Sequence, residues 1–295
     1  MAESGRGYRM KIYNSGAELT ASMKANGHDA MADLWYIGQE AFFVNCGGCR
    51  VIFDPYLTDF ADYGDQAVKE RWVRNYPVPL DPNTLDFLDY IIISHDHLDH
   101  LDPRTIAMLL KASPDAIYIV PEPIIGALIN AGVNRSNILG GKEGEERRIK
   151  GAAIIPVGAW HDMANLDENG LYKDMSFIVR FDNGITLLHG GDMTMYPELP
   201  QKLRKHRIDI ALLPINGGDY KRDTLGIIGN INFREAADLA DIINADLTIP
   251  MHFDMYGVNE ENPAFFVDYM SRVYTDRKYH IFKVGERFTY VKEQI

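Results

Sequence analysis

A dense run of histidine and aspartate occupies residues 95–100 of the chain: His95-Asp96-His97-Leu98-Asp99-His100. It follows an apolar, β-branched segment at residues 90–93, which predicts a buried strand. It precedes Asp102-Pro103, which predicts the N-cap and the first position of a helix. The run therefore lies on a short turn that regular structure holds at both ends. Metal sites require ligand atoms placed to within about 0.5 Å, and such a turn can satisfy that requirement.

Four side chains of this turn are of the types that bind divalent metals. In extended backbone His95 and His97 project to the same side, so we expect them to bind one ion. Asp99 and His100 then face a neighbouring position. Three more residues of ligand type stand after the predicted strands at residues 152–157, 185–189 and 247–250, in that order: His161, Asp192 and His252.

A single histidine at a strand end is more often a satisfied core or surface residue than a metal ligand. Here five of the nine histidines, together with two aspartates, stand at strand ends, and core packing does not explain why these residue types occur there. We therefore interpret the whole set as a metal site. The mixture of imidazole and carboxylate ligands suits Mn²⁺, Zn²⁺ or Fe²⁺.

The composition is that of a globular protein with room for a sizeable core. Of 295 residues, 46% are hydrophobic and 24% are charged, and no repeat or linker marks a boundary, so residues 1–295 are predicted to form a single domain. The net charge of -12 repels polyanions and argues against nucleic-acid binding, and a small anionic substrate would need a local basic pocket. No apolar run approaches the roughly 18 residues of a membrane span. The N-terminus carries no secretory signal, so we expect a cytoplasmic protein without membrane contact.

The two cysteines of the chain form the segment Cys46-Gly47-Gly48-Cys49. A CxxC pair can be redox-active or can form half of a zinc site. The flanking segments at residues 41–45 and 50–54 are typical of paired strands, however, and Gly47-Gly48 suits the two-residue turn of a hairpin. We therefore prefer a structural role for both cysteines.

Predicted strands and helices alternate along the chain, with hairpins among them. A second hairpin is predicted at Asp182-Asn183-Gly184, because Asn-Gly readily adopts positive φ. Asn232 and Glu235 have the spacing of a capping box. This mixture predicts an α/β fold of sheets with helices outside, for which four layers are one solution. Helices are predicted at residues 17–24, 102–113, 124–131, 232–244 and 263–274, and the last two strands at residues 281–284 and 288–291.

The run at residues 95–100, with His, Asp and His following at wide spacings, resembles the signature of the metallo-β-lactamase superfamily. The resemblance implies an αββα four-layer sandwich and two metal ions that share one carboxylate. The segments at residues 34–38, 189–192, 208–218 and 247–254 look like the branch that contains L-ascorbate-6-phosphate lactonase, which favours Mn²⁺, then Zn²⁺, and a homo-oligomer. The ligand sets that the resemblance implies are His95, His97 and His161 on one ion, Asp99, His100 and His252 on the other, and Asp192 as the bridge.

The predicted activity is hydrolysis. Two divalent ions about 3.5–4 Å apart lower the pKa of a shared water toward neutrality, so a metal-bridging hydroxide is the predicted nucleophile. Asp99 is expected to orient that nucleophile and shuttle its proton, with Asp192 and His252 completing the catalytic set. The predicted substrate is a small phosphorylated lactone or related ester. Residues in loops beside the site are candidates for binding it, although solvated surface charge is the better explanation of each basic one taken alone: Arg71, Arg74, Lys221, Arg222 and Asn216.

Two alternatives stay open at the level of the sequence. The same ions support a phosphodiesterase that acts on a small or lipid-like phosphate ester, and an extensive apolar groove beside the metals would favour it. The other alternative is a non-catalytic metal-binding protein that keeps the fold. Complete ligands for two ions argue against it, because a purely structural site needs no open position.

Overall fold

Two seven-stranded mixed sheets form the centre of the protein. The structure is a computed structural model that describes residues 10, 12–25, 27, 29–59 and 72–292. The first sheet has the order β16-β1-β2-β3-β4-β5-β6 and consists of β1 (Met31–Gly38), β2 (Ala41–Cys46), β3 (Cys49–Phe53), β4 (Tyr90–Ile92), β5 (Ile117–Pro121), β6 (Ile138–Gly141) and β16 (Arg287–Val291). The second has the order β15-β14-β13-β12-β11-β8-β7 and consists of β7 (Arg147–Ile149), β8 (Ala152–Gly158), β11 (Met175–Phe181), β12 (Thr186–His189), β13 (Ile210–Pro214), β14 (Leu247–Met251) and β15 (Lys278–Tyr279). A two-stranded hairpin, β9 (Trp160–His161) and β10 (Met163–Ala164), follows β8.

Helices cover the outer faces of both sheets. They are α1 (Gly16–Lys24), α2 (Pro103–Ala112), α3 (Ile125–Asn130), α4 (Leu199–Arg204), α5 (Tyr220–Thr224), α6 (Phe233–Ile242) and α7 (Pro263–Val273), with short 3-10 helices at Pro82–Thr84, Glu122–Ile124 and Arg135–Asn137. Among the described residues, no helix is long and apolar enough to cross a lipid bilayer.

The alternation of side chains along each strand divides the apolar residues among three layers of core. Tyr36 and Phe42 of the first sheet share the central cluster with Phe177 of the second. Their neighbours Trp35 and Phe43 point the other way, into the cluster that α1, α2 and α3 cover. Helices α4, α6 and α7 cover the outer face of the second sheet. The predicted αββα four-layer sandwich is therefore confirmed.

Parallel pairing brings the ends of several strands to one edge of the sandwich. Strands β12, β13 and β14 run parallel, and β3 and β4 run parallel in the facing sheet. The carboxyl ends of parallel strands meet at the same edge, so the residues that follow β4, β12 and β14 lie close together in space. After β4, the turn ends at Asp102, whose carboxylate accepts a hydrogen bond from the backbone N–H of Arg104 and caps α2 as predicted.

Most of the predicted elements form near their predicted bounds. The hairpin turn at Gly47-Gly48 has φ of 57° and 80°, and the capping box of Asn232 and Glu235 starts α6. The predicted strand at residues 281–284 is wrong: its alternation does bury Phe282 and Val284, but the backbone turns here and is not a strand, with Glu286 N–H bonded to the carbonyl of residue 283. The loop predicted around residues 221–222 is also wrong, because both residues lie on α5.

Candidate metal centre

One group of potential ligands comprises His95, His97, His161 and Asp192, whose ligand atoms all lie within 4.8 Å of one another. His95 and His97 lie on the turn that follows β4. His161 reaches this group from the hairpin after β8, and Asp192 is the third residue after β12. Oδ2 of Asp192 is 3.2 Å from Nε2 of His161 and 3.6 Å from Nε2 of His95. Three imidazoles and one carboxylate therefore converge on a single position.

A second group comprises Asp99, His100 and His252, again with ligand atoms within 4.8 Å of one another. Nε2 of His100 is 3.8 Å from Oδ2 of Asp99. Asp192 contacts this group as well, because its Oδ2 is 3.5 Å from Nε2 of His100 and its Oδ1 is 3.3 Å from Nε2 of His252. The structure thus brings all seven predicted ligands together, with Asp192 between the two groups.

Asp54, at the end of β3, orients the imidazoles of both groups. Its Oδ2 accepts hydrogen bonds from Nδ1 of His100 at 2.9 Å and from Oγ of Ser94 at 2.6 Å. Because Ser94 spends its only hydroxyl proton on Asp54, its Oγ accepts from Nδ1 of His95, 2.9 Å away. Protons on both Nδ1 atoms leave each Nε2 with a free lone pair. Such hydrogen bonds from Nδ1 to a buried carboxylate, direct or through a hydroxyl, fix the tautomer that a metal requires.

The buried polar atoms of the centre fit a bound cation. Nε2 of His95 and Nε2 of His100 are buried without a hydrogen-bond partner among the residues that the structure describes, which is costly unless another group, such as a cation, compensates them. Burial holds the pKa of His95 well below its usual value, so His95 carries the neutral imidazole that binds metal. Burial acts to raise the pKa of Asp192, but His252 and His100 outweigh it and keep the carboxylate ionised. The donor set matches divalent transition metals.

The turn between β1 and β2 contributes two residues that the sequence did not indicate. Nε2 of Gln39 lies 2.8 Å from Oδ2 of Asp99 and 3.0 Å from Nε2 of His252. The backbone carbonyl of Gln39 accepts from the N–H of His252 at 2.8 Å. Glu40, the next residue, is completely buried beside the second group. The available signal was a pair of polar residues between two mostly apolar strands.

A cavity of about 240 Å³ opens onto both groups. The apolar and aromatic part of its wall is formed by Trp72, Ile227, Ile228 and Tyr256. Among the predicted ligands, those that line it are His97, Asp99, His161, Asp192 and His252, so the centre is accessible to a small molecule.

Asn216 is buried at the edge of the centre, and it is not one of the described residues that line the cavity. Its amide nitrogen donates to Oδ1 of Asn259, and its carbonyl oxygen accepts from the amide of Asn230, both at 3.1 Å. Asn230 in turn donates to Oδ1 of Asp192 at 2.7 Å. Asn216 therefore supports Asp192 through an amide chain, and Asn259 at the end of that chain lines the cavity.

The basic candidates for substrate binding are engaged elsewhere or lie outside the cavity. The guanidinium of Arg74 is buried between the rings of Tyr56 and Tyr76, 5.0 and 5.5 Å from their centroids. Arg222 donates to two backbone carbonyls, those of residues 216 and 260, and Lys221 does not line the cavity. Arg71 lies outside the described residues. The guanidinium groups of both described arginines are thus engaged by other parts of the protein.

The two cysteines lie far from this chemistry. They face each other across the β2–β3 turn as free, buried thiols, and neither belongs to a group of potential ligands among the residues described. Burial raises the pKa of both thiols to about 12. They pack as small apolar residues.

The family model described as Beta-lactamase superfamily domain matches residues 33–252, from β1 to the last ligand. The chain belongs to the metallo-β-lactamase superfamily. All seven predicted ligands of this superfamily member fall inside the matched region, so the match and the geometry concern the same centre. It is a metal-dependent hydrolase of that superfamily.

Relatives of this metallo-β-lactamase superfamily member include a UPF0173 metal-dependent hydrolase of Nitratidesulfovibrio vulgaris, 27% identical over 88% of this chain and 95% of the relative. A probable L-ascorbate-6-phosphate lactonase UlaG of Escherichia coli is 24% identical over 87% of this chain and 80% of the relative. Among solved structures, Igni18, a metallo hydrolase from Ignicoccus hospitalis, superimposes with a TM-score of 0.66 at 20% identity, covering 89% of this chain and all of the other. The last likeness concerns the fold alone.

Proposed function

We propose that this chain hydrolyses small, uncharged lactones or esters with two divalent metal ions, Mn²⁺ or Zn²⁺. One observation carries the proposal: the two carboxylate oxygens of Asp192 face histidines of both ligand groups. Oδ2 is 3.2 Å from Nε2 of His161, and Oδ1 is 3.3 Å from Nε2 of His252. A carboxylate between two groups of ligands is what a pair of ions sharing one ligand requires.

The chemistry divides between the ions and the protein. When bound, two divalent ions would lower the pKa of a shared water and polarise the carbonyl oxygen of the substrate. Asp99 lines the cavity with its side chain 15% exposed, and its Oδ2 accepts a hydrogen bond from Gln39. Its other oxygen is then available to accept the proton of the attacking water and deliver it to the leaving oxygen.

The walls of the cavity support an uncharged substrate. Trp72, Ile228 and Tyr256 offer flat and branched apolar surfaces against which a lactone ring or a short acyl chain can pack. An adjoining groove shares residues 226–228 and is lined by the carboxylates of Asp162, Asp219 and Asp223, which repel an added phosphate. The lactonase relative supports a lactone as the reacting group.

The size of the cavity favours this proposal over a lipid phosphodiesterase. Pockets for drug-sized ligands measure roughly 300–1,000 Å³. The present cavity holds about 240 Å³, which suits a single ring and is too small to bury a lipid chain. The alternative of a non-catalytic protein is disfavoured because five of the ligands line an open cavity.

The test is a substrate screen with metal-depleted protein to which Mn²⁺ or Zn²⁺ is restored. The panel contains unphosphorylated lactones, the same lactones with a phosphate group, and cyclic phosphodiesters of similar size. We expect the uncharged lactones to be hydrolysed with the highest kcat/KM, only with metal present, and not by Asp192→Asn. Preference for the phosphodiesters, or no lactone hydrolysis by fully loaded protein, would overturn the proposal.

A variant of the wall tests the substrate class separately. Ile228 is 44% exposed, so Ile228→Asn removes apolar surface without leaving a buried cavity. We expect KM for an uncharged lactone to rise about tenfold while kcat changes little, because the lost contact is made equally to substrate and transition state. Ile129→Asn, at an exposed site on α3, is the matched control.

A further inference from the structure

Glu40 is a buried acid that no part of the hydrolytic scheme uses. Its side chain is completely buried, and within the described part of the chain neither carboxylate oxygen has a hydrogen-bond partner. An ionised carboxylate in such a place is among the most unfavourable groups a protein can bury, unless a cation or a proton compensates it.

The backbone holds Glu40 firmly where it is. Its carbonyl oxygen lies 2.9 Å from Nε2 of His189, whose ring stacks on Phe53 at 4.8 Å. The preceding residue, Gln39, has a left-handed φ of 60° and donates its N–H to the hydroxyl of Tyr76. A side chain on so constrained a turn has little freedom to move away and find another partner.

Potential metal ligands lie close to the carboxylate of Glu40. An oxygen of Glu40 forms, with Asp192 and His252, a set of ligand atoms within 4.8 Å of one another. A second such set joins Glu40 to Asp54 and His100, and Oε2 of Glu40 is 3.7 Å from Nδ1 of His100. A carboxylate oxygen of Glu40 therefore lies close to two ligands of the second position, Asp192 and His252, and the other short contact is to the Nδ1 side of His100.

We propose that Glu40 is an additional carboxylate ligand of the cation held by Asp99, His100 and His252. This inference rests on the two ion positions of the proposed function. With Glu40 and the shared Asp192, the second position has three carboxylates and two imidazoles, whereas the first has three imidazoles and one carboxylate. Carboxylate-rich sets suit Mn²⁺ and imidazole-rich sets suit Zn²⁺, so the two positions select different metals.

The experiment is a titration of metal-depleted full-length protein with Mn²⁺, with free Mn²⁺ followed by its electron paramagnetic resonance signal. Wild-type protein, Glu40→Gln and the exposed control Glu18→Gln are compared. We expect two Mn²⁺ ions to bind wild-type protein and the control. Glu40→Gln should weaken binding of the second Mn²⁺ by at least about 10-fold and leave binding of the first within about twofold.

The glutamine variant also distinguishes ligation from simple protonation. Glutamine has the shape of a neutral carboxylic acid, so a Glu40 that stays protonated in the loaded protein predicts no change in either affinity, and that result would overturn the inference. Binding of fewer than two ions by wild-type protein would instead refute the two-ion scheme on which it rests.

Glu40→Asp keeps the test decisive if the glutamine variant does not fold. It retains the charge but withdraws the carboxylate by one methylene, so we expect weaker binding of the second Mn²⁺ and unchanged binding of the first. Equal affinity of Glu40→Asp and wild-type protein for the second ion would refute ligation. Circular dichroism and thermal unfolding without metal establish that each variant is folded.

Discussion

Asp54→Asn is the substitution that best isolates the support behind the metal ligands. Asp54 is buried, and its two oxygens accept three hydrogen bonds: from Nδ1 of His100, from Oγ of Ser94 and, at 2.7 Å, from the backbone N–H of Ser94. Asparagine keeps the shape of the side chain but replaces one acceptor oxygen with an NH₂ group. It also tolerates the left-handed φ of 38° at this position, so backbone strain is not changed.

The expected loss of metal affinity in Asp54→Asn follows from the interactions that His100 loses. If the NH₂ group of the asparagine faces Nδ1–H, two donors meet. If the amide is reversed, the donor conflict passes to the backbone N–H of Ser94. In both cases His100 also loses the negative charge that makes its Nε2 a stronger ligand. Removal of such a supporting carboxylate lowers metal affinity by about 10- to 100-fold, which is roughly 1.4–2.7 kcal/mol.

The assay is competition between the protein and a chelator for Zn²⁺ and for Mn²⁺, with thermal unfolding to establish that the variant is folded. Asp115→Asn, at an exposed position, is the matched control and should bind both metals like wild-type protein. Folded Asp54→Asn protein whose affinity for both metals stays within about twofold of wild type would refute the orienting role of this carboxylate.

Three further predictions concern other parts of the structure. Asp192→Asn and His97→Ala should each lower kcat by more than the roughly 100-fold that loss of a supporting residue costs, with unchanged circular dichroism. Cys46→Ala and Cys49→Ala should leave metal content unchanged. In the native protein a pKa of about 12 leaves about one thiol in 10,000 ionised at pH 8, so both cysteines should resist thiol reagents. Asp102→Ala removes the cap of α2 and the acceptor of two threonine hydroxyls, and should lower the free energy of unfolding by about 2–4 kcal/mol in denaturant titrations.

Each of these predictions can fail in a recognisable way. Turnover retained by folded Asp192→Asn would separate the ligand groups from the chemistry. Loss of metal from either cysteine variant would show that the CxxC segment takes part in metal binding. A change in unfolding free energy below about 1 kcal/mol for Asp102→Ala would show that its buried hydrogen bonds contribute little beyond an ordinary cap.

The metal ligands could be found from the sequence because each stands where a local pattern ends. Residues 95–100 lie between a clear strand and a capped helix, and Asp192 and His252 follow short apolar runs. Strand alternation and turn chemistry are local properties, so an α/β fold could be predicted from them, whereas the αββα arrangement of four layers was implied by the resemblance to the metallo-β-lactamase superfamily. The failure at residues 281–284 has a physical cause: alternation reports which side chains are buried, whereas a strand also needs a neighbour for its backbone hydrogen bonds.

The residues that the sequence did not indicate depend on contacts between distant segments. Gln39 and Asp54 are polar residues with left-handed φ at the ends of strands, a pattern typical of exposed turns, and only the packing of the two sheets buries them beside the centre. Arg74, by contrast, was predicted to bind substrate, but the packing of the protein encloses it. Its charge suggested a ligand site, but Tyr56 and Tyr76 enclose the guanidinium.

Anomalous X-ray scattering from crystals grown with Mn²⁺, recorded at the manganese edge, tests the central claim most directly. Two peaks are predicted, about 3.5–4 Å apart, with the carboxylate of Asp192 between them. His97 should contact one peak and His252 the other. A single peak, or peaks that Asp192 does not touch, would contradict the two-ion centre and the hydrolytic scheme built on it.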